Sequence, residues 1–341
     1  MKKIAAIIAL IIVTVALGAT LVACNNATTQ GQLVDAWKEG RPYERYTYSV
    51  DDSATEGKDG TYVSEIIYHS AYNTSVDESD PAYSDRVTVG DTSIEQREGY
   101  LIRGTLSATL NGSEVEYVTE CYFALTDGSN YLLPVATFRS ETVDGTETLR
   151  MNGVYNGSSL SYTLVVNGGE AKTGTVGLGS PYYDNNEFHQ SLRGVSTFSS
   201  SFSFGFSTAI VNATEQTSAS LTFSVSGTAT VGELEFASYG RDENGNEVQN
   251  GKTAVECYRA TLSRSTTVSG SSQTLWYSVN PIYAAVTDDG TATELSTYDN
   301  GWWALPHVLV GFSEPYKTAT STGTVTYALT GISLIAPAAE A

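Results

Sequence analysis

Hydrophobic and polar residues alternate with a period of two along most of the chain. Runs with this pattern lie at residues 46–50, 160–166, 202–206, 221–225 and 325–329. A period of two places large side chains on one face of a β-strand and small or polar ones on the other. In one run, Phe202, Phe204 and Phe206 are expected on a buried face, with Ser203 and Gly205 opposite.

Pairs of Asn-Gly and Asp-Gly recur between the alternating runs. Examples are Asn111-Gly112, Asp144-Gly145, Asn152-Gly153 and Asn167-Gly168. Such pairs suit tight hairpins, because the central residues of these turns adopt positive φ angles. After residue 42 no stretch shows a helical period. The sequence therefore predicts a mainly β protein built from antiparallel meander sheets, as a sandwich or a half-barrel.

Two segments of the chain share an order of features. Glu120-Cys121-Tyr122 begins one and Glu256-Cys257-Tyr258 begins the other; an aromatic strand, an Asp-Gly-Thr turn and an Asn-Gly turn follow each. This order predicts two pseudo-repeated β halves at 41–165 and 195–335, with coincidence in a β-rich sequence as the alternative. The intervening residues 166–194 are rich in chain-breaking residues and are predicted to form a linker or long loop.

The first 24 residues have the layout of an export signal, in which two lysines precede an apolar run. The run ends in Leu21-Val22-Ala23-Cys24, which resembles the lipobox of bacterial lipoproteins at all four positions. This resemblance implies a signal peptide at 1–23, cleavage before Cys24, and acylation of its thiol by fatty acids such as palmitate. An uncleaved transmembrane helix is the alternative.

Both alternatives place the rest of the chain on the extracytoplasmic face of the cell membrane, since the lysines stay inside. The polar residues that follow the signal make 24–40 a tether, and 336–341 form a short tail. A lipid-anchored protein at the cell surface, with the membrane as its first partner, is the expectation.

The composition agrees with an exported β protein and argues against one class of partner. The chain carries a formal net charge of −20, with 16% charged and 41% hydrophobic residues. Such a charge repels nucleic acid, so no nucleic-acid partner is expected. Of the three cysteines, Cys121 and Cys257 remain after acylation of Cys24. They form either a disulfide or two separately buried thiols, and the second alternative is favoured.

Catalytic and metal-binding motifs are not evident. The three histidines lack the spacing of metal ligands, and no nucleophile elbow occurs. His189 follows an acidic residue, Glu187, but a surface loop explains this proximity equally well. We therefore expect no catalytic residues, no metal and no cofactor.

Aromatic residues provide modest support for ligand binding. The chain has 22 tyrosines and four tryptophans, which suit sugar stacking or an apolar pocket. Candidates for stacking against a ligand are Trp276, Tyr277, Trp302 and Trp303. The run Leu275 to Pro281, within a long meander, is similar to segments of the LolA/LppX group. That resemblance implies a sheet curved into a half-barrel that holds an apolar ligand.

These observations predict a lipid-anchored, non-catalytic binding protein for an apolar or glycan ligand. A structural or adhesive surface protein without a small-molecule site is the first alternative. A hydrolase with an unrecognised site is the second. An enclosed cavity lined by the aromatic strand faces would favour the binding protein, and a filled core would favour the structural one.

Overall fold

A computed structural model describes most of the chain after the tether. The described residues are 43–55, 59–69, 86–125, 132–184, 188–194, 198–199, 202–232, 239–241, 247–249, 254–264, 272–287, 302–317 and 322–335. The predicted signal peptide, tether and tail lie outside these ranges. None of the helices in the described ranges is long and apolar enough to cross a membrane.

The first part of the chain forms an antiparallel meander interrupted by one small hairpin. Its strands are β1 (Tyr43–Asp52), β2 (Gly60–His69), β5 (Gly99–Leu110), β6 (Ser113–Leu125), β7 (Leu132–Val143), β8 (Thr146–Tyr155), β9 (Ser159–Val166) and β10 (Lys172–Gly177). The hairpin consists of β3 (Arg86–Val89) and β4 (Thr92–Glu95). Each main strand pairs with the next along the chain.

The second part forms a similar meander after a short helical segment. The helix α1 (Phe188–Ser191) continues as a 3-10 turn (Leu192–Gly194). The strands that follow are β11 (Ser203–Val211), β12 (Gln216–Gly232), β15 (Ala254–Arg264), β16 (Gln273–Ser278), β19 (Leu309–Lys317) and β20 (Thr322–Ile335). Two excursions add β13 (Tyr239–Arg241) with β14 (Glu247–Gln249), and β17 (Ile282–Thr287) with β18 (Trp302–Leu305).

The two meanders join through β1 and β20, and within the described residues one sheet contains 16 strands. β10 and β11 are its two outermost strands, and the segment that follows β10 pairs with β11. The amide of Tyr183 donates to the carbonyl of Ser207 (3.1 Å), and the amide of Ser207 donates to the carbonyl of Pro181 (2.8 Å). The sheet is therefore an antiparallel, nearly closed barrel, which confirms the predicted mainly β fold.

Strand β1 shows how the alternation in sequence selects the face that points into the barrel. Glu44, Tyr46, Tyr48, Val50 and Asp52 are all buried, and the residues between them are partly or fully exposed. The buried row continues through register partners on β2 and β20. On β11, Phe204 and Phe206 are buried and Ser203 and Gly205 are exposed, as predicted, with Phe202 partly buried beside them.

The outer face of the barrel carries a second, smaller apolar cluster. Val87 and Val89 of the β3–β4 hairpin pack against Leu101, Tyr122 and Phe138, whose side chains point away from the barrel interior. The hairpin thus covers part of β5, β6 and β7. This cover explains why these strands carry large residues on both faces.

The predicted hairpin turns are confirmed at three of the Asn-Gly and Asp-Gly pairs. Asn111, Asp144 and Asn167 have φ angles of 51°, 49° and 50°, and the glycine after each also has positive φ. These turns lie at one end of the barrel, which we call the turn end. There Asp52 accepts hydrogen bonds from the Asn111 amide (2.8 Å) and the Tyr316 hydroxyl (2.8 Å), so it links β1 to β19 and to the turn between β5 and β6.

Asn152-Gly153, in contrast, is not a turn. Both residues lie within β8, paired with Thr163 and Tyr162 of β9. A Cβ atom at Gly153 would lie 2.7 Å from the Leu160 side chain. The glycine is therefore explained by close side-chain packing and not by a turn.

The segment 166–194 differs from the predicted linker or long loop. It contains β10, which pairs with β9 along its whole length, and the helical segment, whose Phe188 and Leu192 are buried. Its residues thus complete the sheet and the core. The predicted halves at 41–165 and 195–335 form consecutive parts of one sheet. Cys121 lies on the fourth main strand of the first half, and Cys257 lies on the third main strand of the second half. Duplication remains a prediction.

Candidate functional site

The helical segment Phe188–Gly194, which we call the plug, lies inside the barrel. The ring of Phe188 stacks on Phe206 with 4.1 Å between centroids, and Tyr183 contacts the same two rings edge-on. Phe188 and Leu192 are almost wholly buried. A four-residue helix has little intrinsic stability, so this apolar packing must stabilise it.

Polar contacts fix the plug to the barrel wall. Arg193 donates from Nη1 to Oε2 of Glu44 at 2.9 Å, and its guanidinium lies 4.6 Å from the centre of the Tyr46 ring. The hydroxyl of Tyr46 donates to the same Glu44 oxygen at 2.6 Å. On the other side, the hydroxyl of Tyr277 donates to the carbonyl of His189 at 2.8 Å. These bonds connect the plug to β1 and β16.

A cavity of about 320 Å³ occupies the barrel interior between the plug and the turn end, and it is partly open. Strands from both meanders and the plug itself line it. The lining residues are Tyr62, Gly104, Leu106, Tyr117, Thr119, Arg139, His189, Gln273, Phe312, Glu314 and Tyr327. This volume lies in the range of about 300–1,000 Å³ that is typical of small-molecule sites.

Stacked aromatic rings form one wall of the cavity. Phe312 of β19 lies parallel to Tyr327 of β20, with 4.0 Å between centroids and 6° between planes. His189 stacks on Phe312 at 5.2 Å, and Tyr62 meets Phe312 edge-on at 5.9 Å. These side chains are adjacent because Phe312 and Tyr327 are direct partners in the β19–β20 register.

A chain of hydrogen bonds crosses the cavity from the plug to β19. His189 Nε2 lies 2.7 Å from Oε1 of Gln273, and Nε2 of Gln273 donates to Oε1 of Glu314 at 2.7 Å. Because an amide oxygen only accepts, His189 Nε2 must carry the hydrogen in this arrangement. The imidazole, the amide and the carboxyl are thereby held in a fixed order.

The charged side chains that line the cavity differ in how close they lie to a group of opposite charge. Arg139 lies 3.6 Å from a carboxylate oxygen of Glu141, and its guanidinium lies 5.9 Å from the Tyr117 ring centre. Burial raises the pKa of Glu314, and the positive charges of His189 and Arg139 only partly oppose this effect. A carboxyl whose pKa is raised by burial, inside a concave site, is typical of functional positions.

Of the stacking candidates predicted from sequence, Trp276 and Tyr277 are described by the structure, and neither is among the residues that line this cavity. Tyr277 is wholly buried, and its ring packs against Phe198 and Phe223, so in this structure it belongs to the core and does not stack against a ligand. Trp276 is partly buried and points to the opposite face of β16. Trp302 and Trp303 lie on β18, and their side chains are outside the described part of the structure.

The two cysteines lie on different strands and are not joined by a disulfide. Cys121 on β6 and Cys257 on β15 are both buried. Burial raises the pKa of the Cys257 thiol to about 12. Neither thiol lines the cavity, so neither contributes to this site. Cys24, the predicted site of lipid attachment, lies outside the described residues.

Sequence reasoning missed the polar residues of the cavity. Arg139, Gln273 and Glu314 follow no motif, and a surface loop explains the sequence around His189 as well as a site does. One signal was available: Glu314 occupies a position in β19 with the same parity as Phe312 and Tyr316, whose alternation marks the inward face. A charged residue on an inward-facing row indicates a polar interior site.

A second concavity lies on the outer face of β8, β9 and β10. It has a volume of about 440 Å³ and is lined largely by threonines and other small polar residues, including Thr163, Thr173 and Thr175. It lacks charged groups among its lining residues. Its open, uniform surface contrasts with the mixed chemistry of the interior cavity.

Comparison with solved structures finds a similarity in fold to a protein of unknown function. A β-barrel-like protein with a domain of unknown function (DUF1849) from Brucella abortus aligns with 87% of this chain and 100% of its own, at 10% sequence identity and a TM-score of 0.45. No protein-family model matches the sequence. No curated protein matches it either.

Proposed function

We propose that the chain is a membrane-anchored extracytoplasmic lipoprotein whose barrel binds a small glycan in the cavity above the plug. One observation carries this proposal. The cavity combines an aromatic wall with four side chains that can form several hydrogen bonds each, namely Arg139, His189, Gln273 and Glu314. Sugars present apolar C–H faces and many hydroxyl groups, so they match both halves of such a site.

The same polar groups argue against a purely apolar ligand. A hydrocarbon chain in this space would displace water from an arginine, an amide and a carboxyl without replacing its hydrogen bonds. Desolvating such groups without compensation costs several kcal/mol, roughly 2–7 for each neutral group in an apolar medium. A ligand with hydroxyl groups avoids this cost, since it donates to carboxylate and amide oxygens and accepts from the guanidinium.

The lipid anchor is part of the proposal and rests on the lipobox resemblance at Leu21 to Cys24. Several acyl chains would hold the protein firmly at the membrane, whereas a single chain binds reversibly. The tether at 24–40 would separate the barrel from the lipid surface. A binding protein held in this way samples ligands just outside the membrane.

Calorimetric titration of the detergent-solubilised full chain with a panel of mono- and disaccharides tests the proposal. We expect at least one saccharide to bind, and Gln273→Ala to weaken that binding about tenfold, since tenfold corresponds to about 1.4 kcal/mol. Gln216→Ala is the matched control, because Gln216 is exposed at the start of β12. Absence of saccharide binding, together with lipid that copurifies stoichiometrically, would favour the apolar ligand; absence of both would favour the structural alternative.

A further inference from the structure

Glu314 lines the cavity, and no arginine or lysine among the described residues lies within ion-pair distance of its carboxylate. Arg139 pairs with Glu141, Arg193 pairs with Glu44, and Arg264 pairs with Glu215. Glu314 takes part in no ion pair with the described residues, and its one hydrogen-bond donor is the neutral amide of Gln273. The arginines that could neutralise it are therefore already committed to other carboxylates.

The surroundings of Glu314 make this arrangement costly in the empty protein. Burial chiefly, and then the charge of Glu314, raise the pKa of Tyr327, which shows that the ring and the carboxylate interact. Glu314 also lies near Tyr117, whose hydroxyl is bonded to Glu141. A carboxylate among aromatic rings with one neutral donor has lost much of its hydration, and the charges of His189 and Arg139 compensate this loss only in part.

We propose that the ligand of this cavity carries a protonated amine, as an amino sugar does, and that its ammonium group binds the carboxylate of Glu314. This inference rests on the proposed function, because it specifies the class of glycan. A primary ammonium group has three donors and no acceptor, so it would complete the hydrogen bonds of Glu314 that Gln273 leaves unmade.

The aromatic rings around Glu314 favour the same charge. Ring faces attract cations, by about 0.5–1 kcal/mol at exposed sites and about 2 kcal/mol where water is excluded. Phe312 stacks with both His189 and Tyr327, so its faces are already covered. Tyr117 and Tyr327 line the cavity near Glu314. Burial chiefly, and to a lesser extent the charge of Glu314, raises the pKa of both hydroxyl groups, so an ammonium group at the carboxylate would lie beside these rings.

The alternative to an ionised Glu314 in the complex is a Glu314 that stays protonated and neutral when the ligand binds. In that state the carboxyl would hydrogen-bond a hydroxyl as well as an amine, and the cavity would not distinguish a sugar from its amino derivative. The two states therefore predict different selectivity for matched ligands. An amino sugar and its parent hexose differ at one position only, which makes them the appropriate probes.

The experiment titrates the detergent-solubilised full chain at about pH 6.5 with glucosamine, galactosamine and mannosamine, each against its parent hexose. Near this pH the amines are largely protonated. We expect at least one amino sugar to bind about tenfold more tightly than its parent. Glu314→Gln should remove this preference while keeping binding of the parent hexose, and Glu116→Gln, on the outer face of β6, should keep both.

Equal affinity for the members of each pair would overturn the inference and leave the proposed glycan binding intact. Absence of binding by every saccharide would instead contradict the proposed function, and this inference with it. Circular dichroism melting checks that Glu314→Gln folds. If that variant does not fold, the affinities of the unaltered protein for the amino sugar and the parent hexose of each pair decide whether the inference holds.

Discussion

Arg193 of the plug and Glu44 of β1 form an ion pair of 2.9 Å in which only 2% of either side chain is exposed. This pair joins a short helical segment to the strand at the junction of the two meanders. Because both charges are removed from water, each depends on the other for compensation. The pair therefore determines whether the plug stays in place and whether the cavity keeps its floor.

Glu44→Gln should destabilise the protein by about 3–5 kcal/mol, because it leaves the Arg193 guanidinium buried without a counter-charge. Chemical denaturation followed by tryptophan fluorescence measures the loss. The matched control is Glu147→Gln, which breaks an exposed pair with Arg150 of 2.8 Å and should cost less than about 1 kcal/mol. Similar losses in the two variants would contradict the buried character of the Arg193–Glu44 pair.

Phe204→Ala should destabilise the protein by about 3–5 kcal/mol, because it removes a buried ring from a packed cluster. The ring of Phe204 contacts Phe206 and Phe223, with centroids 5.7 Å and 5.8 Å away. Ser220→Ala on the exposed face of β12 is the control and should change stability by less than about 0.5 kcal/mol. A loss below about 1 kcal/mol for Phe204→Ala would indicate that this part of the core is loosely packed.

The raised pKa of Glu314 predicts a pH dependence of stability with a definite sign. The folded protein holds this proton at pH values where the unfolded chain has lost it, since the ordinary pKa is 4.5. The contribution to the free energy of unfolding is therefore complete below that value and is lost as pH rises through the folded pKa, by at most about 1.4 kcal/mol per unit.

Denaturation of the unaltered protein and of Glu314→Gln at several pH values between about 4 and 7 measures this contribution. The stability of the unaltered protein relative to the variant should fall as pH rises. A relative stability that increases with pH would mean that the folded protein prefers the ionised carboxylate even without a ligand.

Cys24→Ser should release the protein from the membrane fraction or leave it as unprocessed precursor, because the thiol that accepts the acyl group is gone. Fractionation and mass spectrometry of the N-terminus measure both outcomes. Cys121→Ser is the control, since Cys121 is buried in the barrel. A Cys24→Ser variant that is still cleaved after Ala23 and still partitions into detergent would refute the lipobox interpretation.

The strands could be predicted from sequence because their information is local. The alternation at Tyr46, Tyr48 and Val50 identifies an inward row before any partner is known, and the turn at Asn111-Gly112 follows from its requirement for positive φ. Asn152-Gly153 shows the limit of such signals. The same dipeptide lies inside β8, where a Cβ atom at Gly153 would lie 2.7 Å from the Leu160 side chain.

The site could not be predicted because it depends on pairing between distant residues. His189, Gln273 and Glu314 are separated by 84 and 41 positions, and only closure of the sheet around the plug brings them together. The plug has one helical turn, too short for a period to be recognised. The sequence of the plug therefore cannot be distinguished from that of a loop unless the surrounding strands are known.

The most direct test of the central claim is a variant that fills the cavity. Thr119 lines it from β6, and Thr109 is exposed on the outer face of β5. Thr119→Trp and Thr109→Trp add the same volume inside and outside the barrel, and titration with the saccharide that binds best compares them. We predict that Thr119→Trp weakens binding at least about tenfold and that Thr109→Trp leaves it unchanged; equal affinity in the two variants would contradict a ligand site inside the barrel.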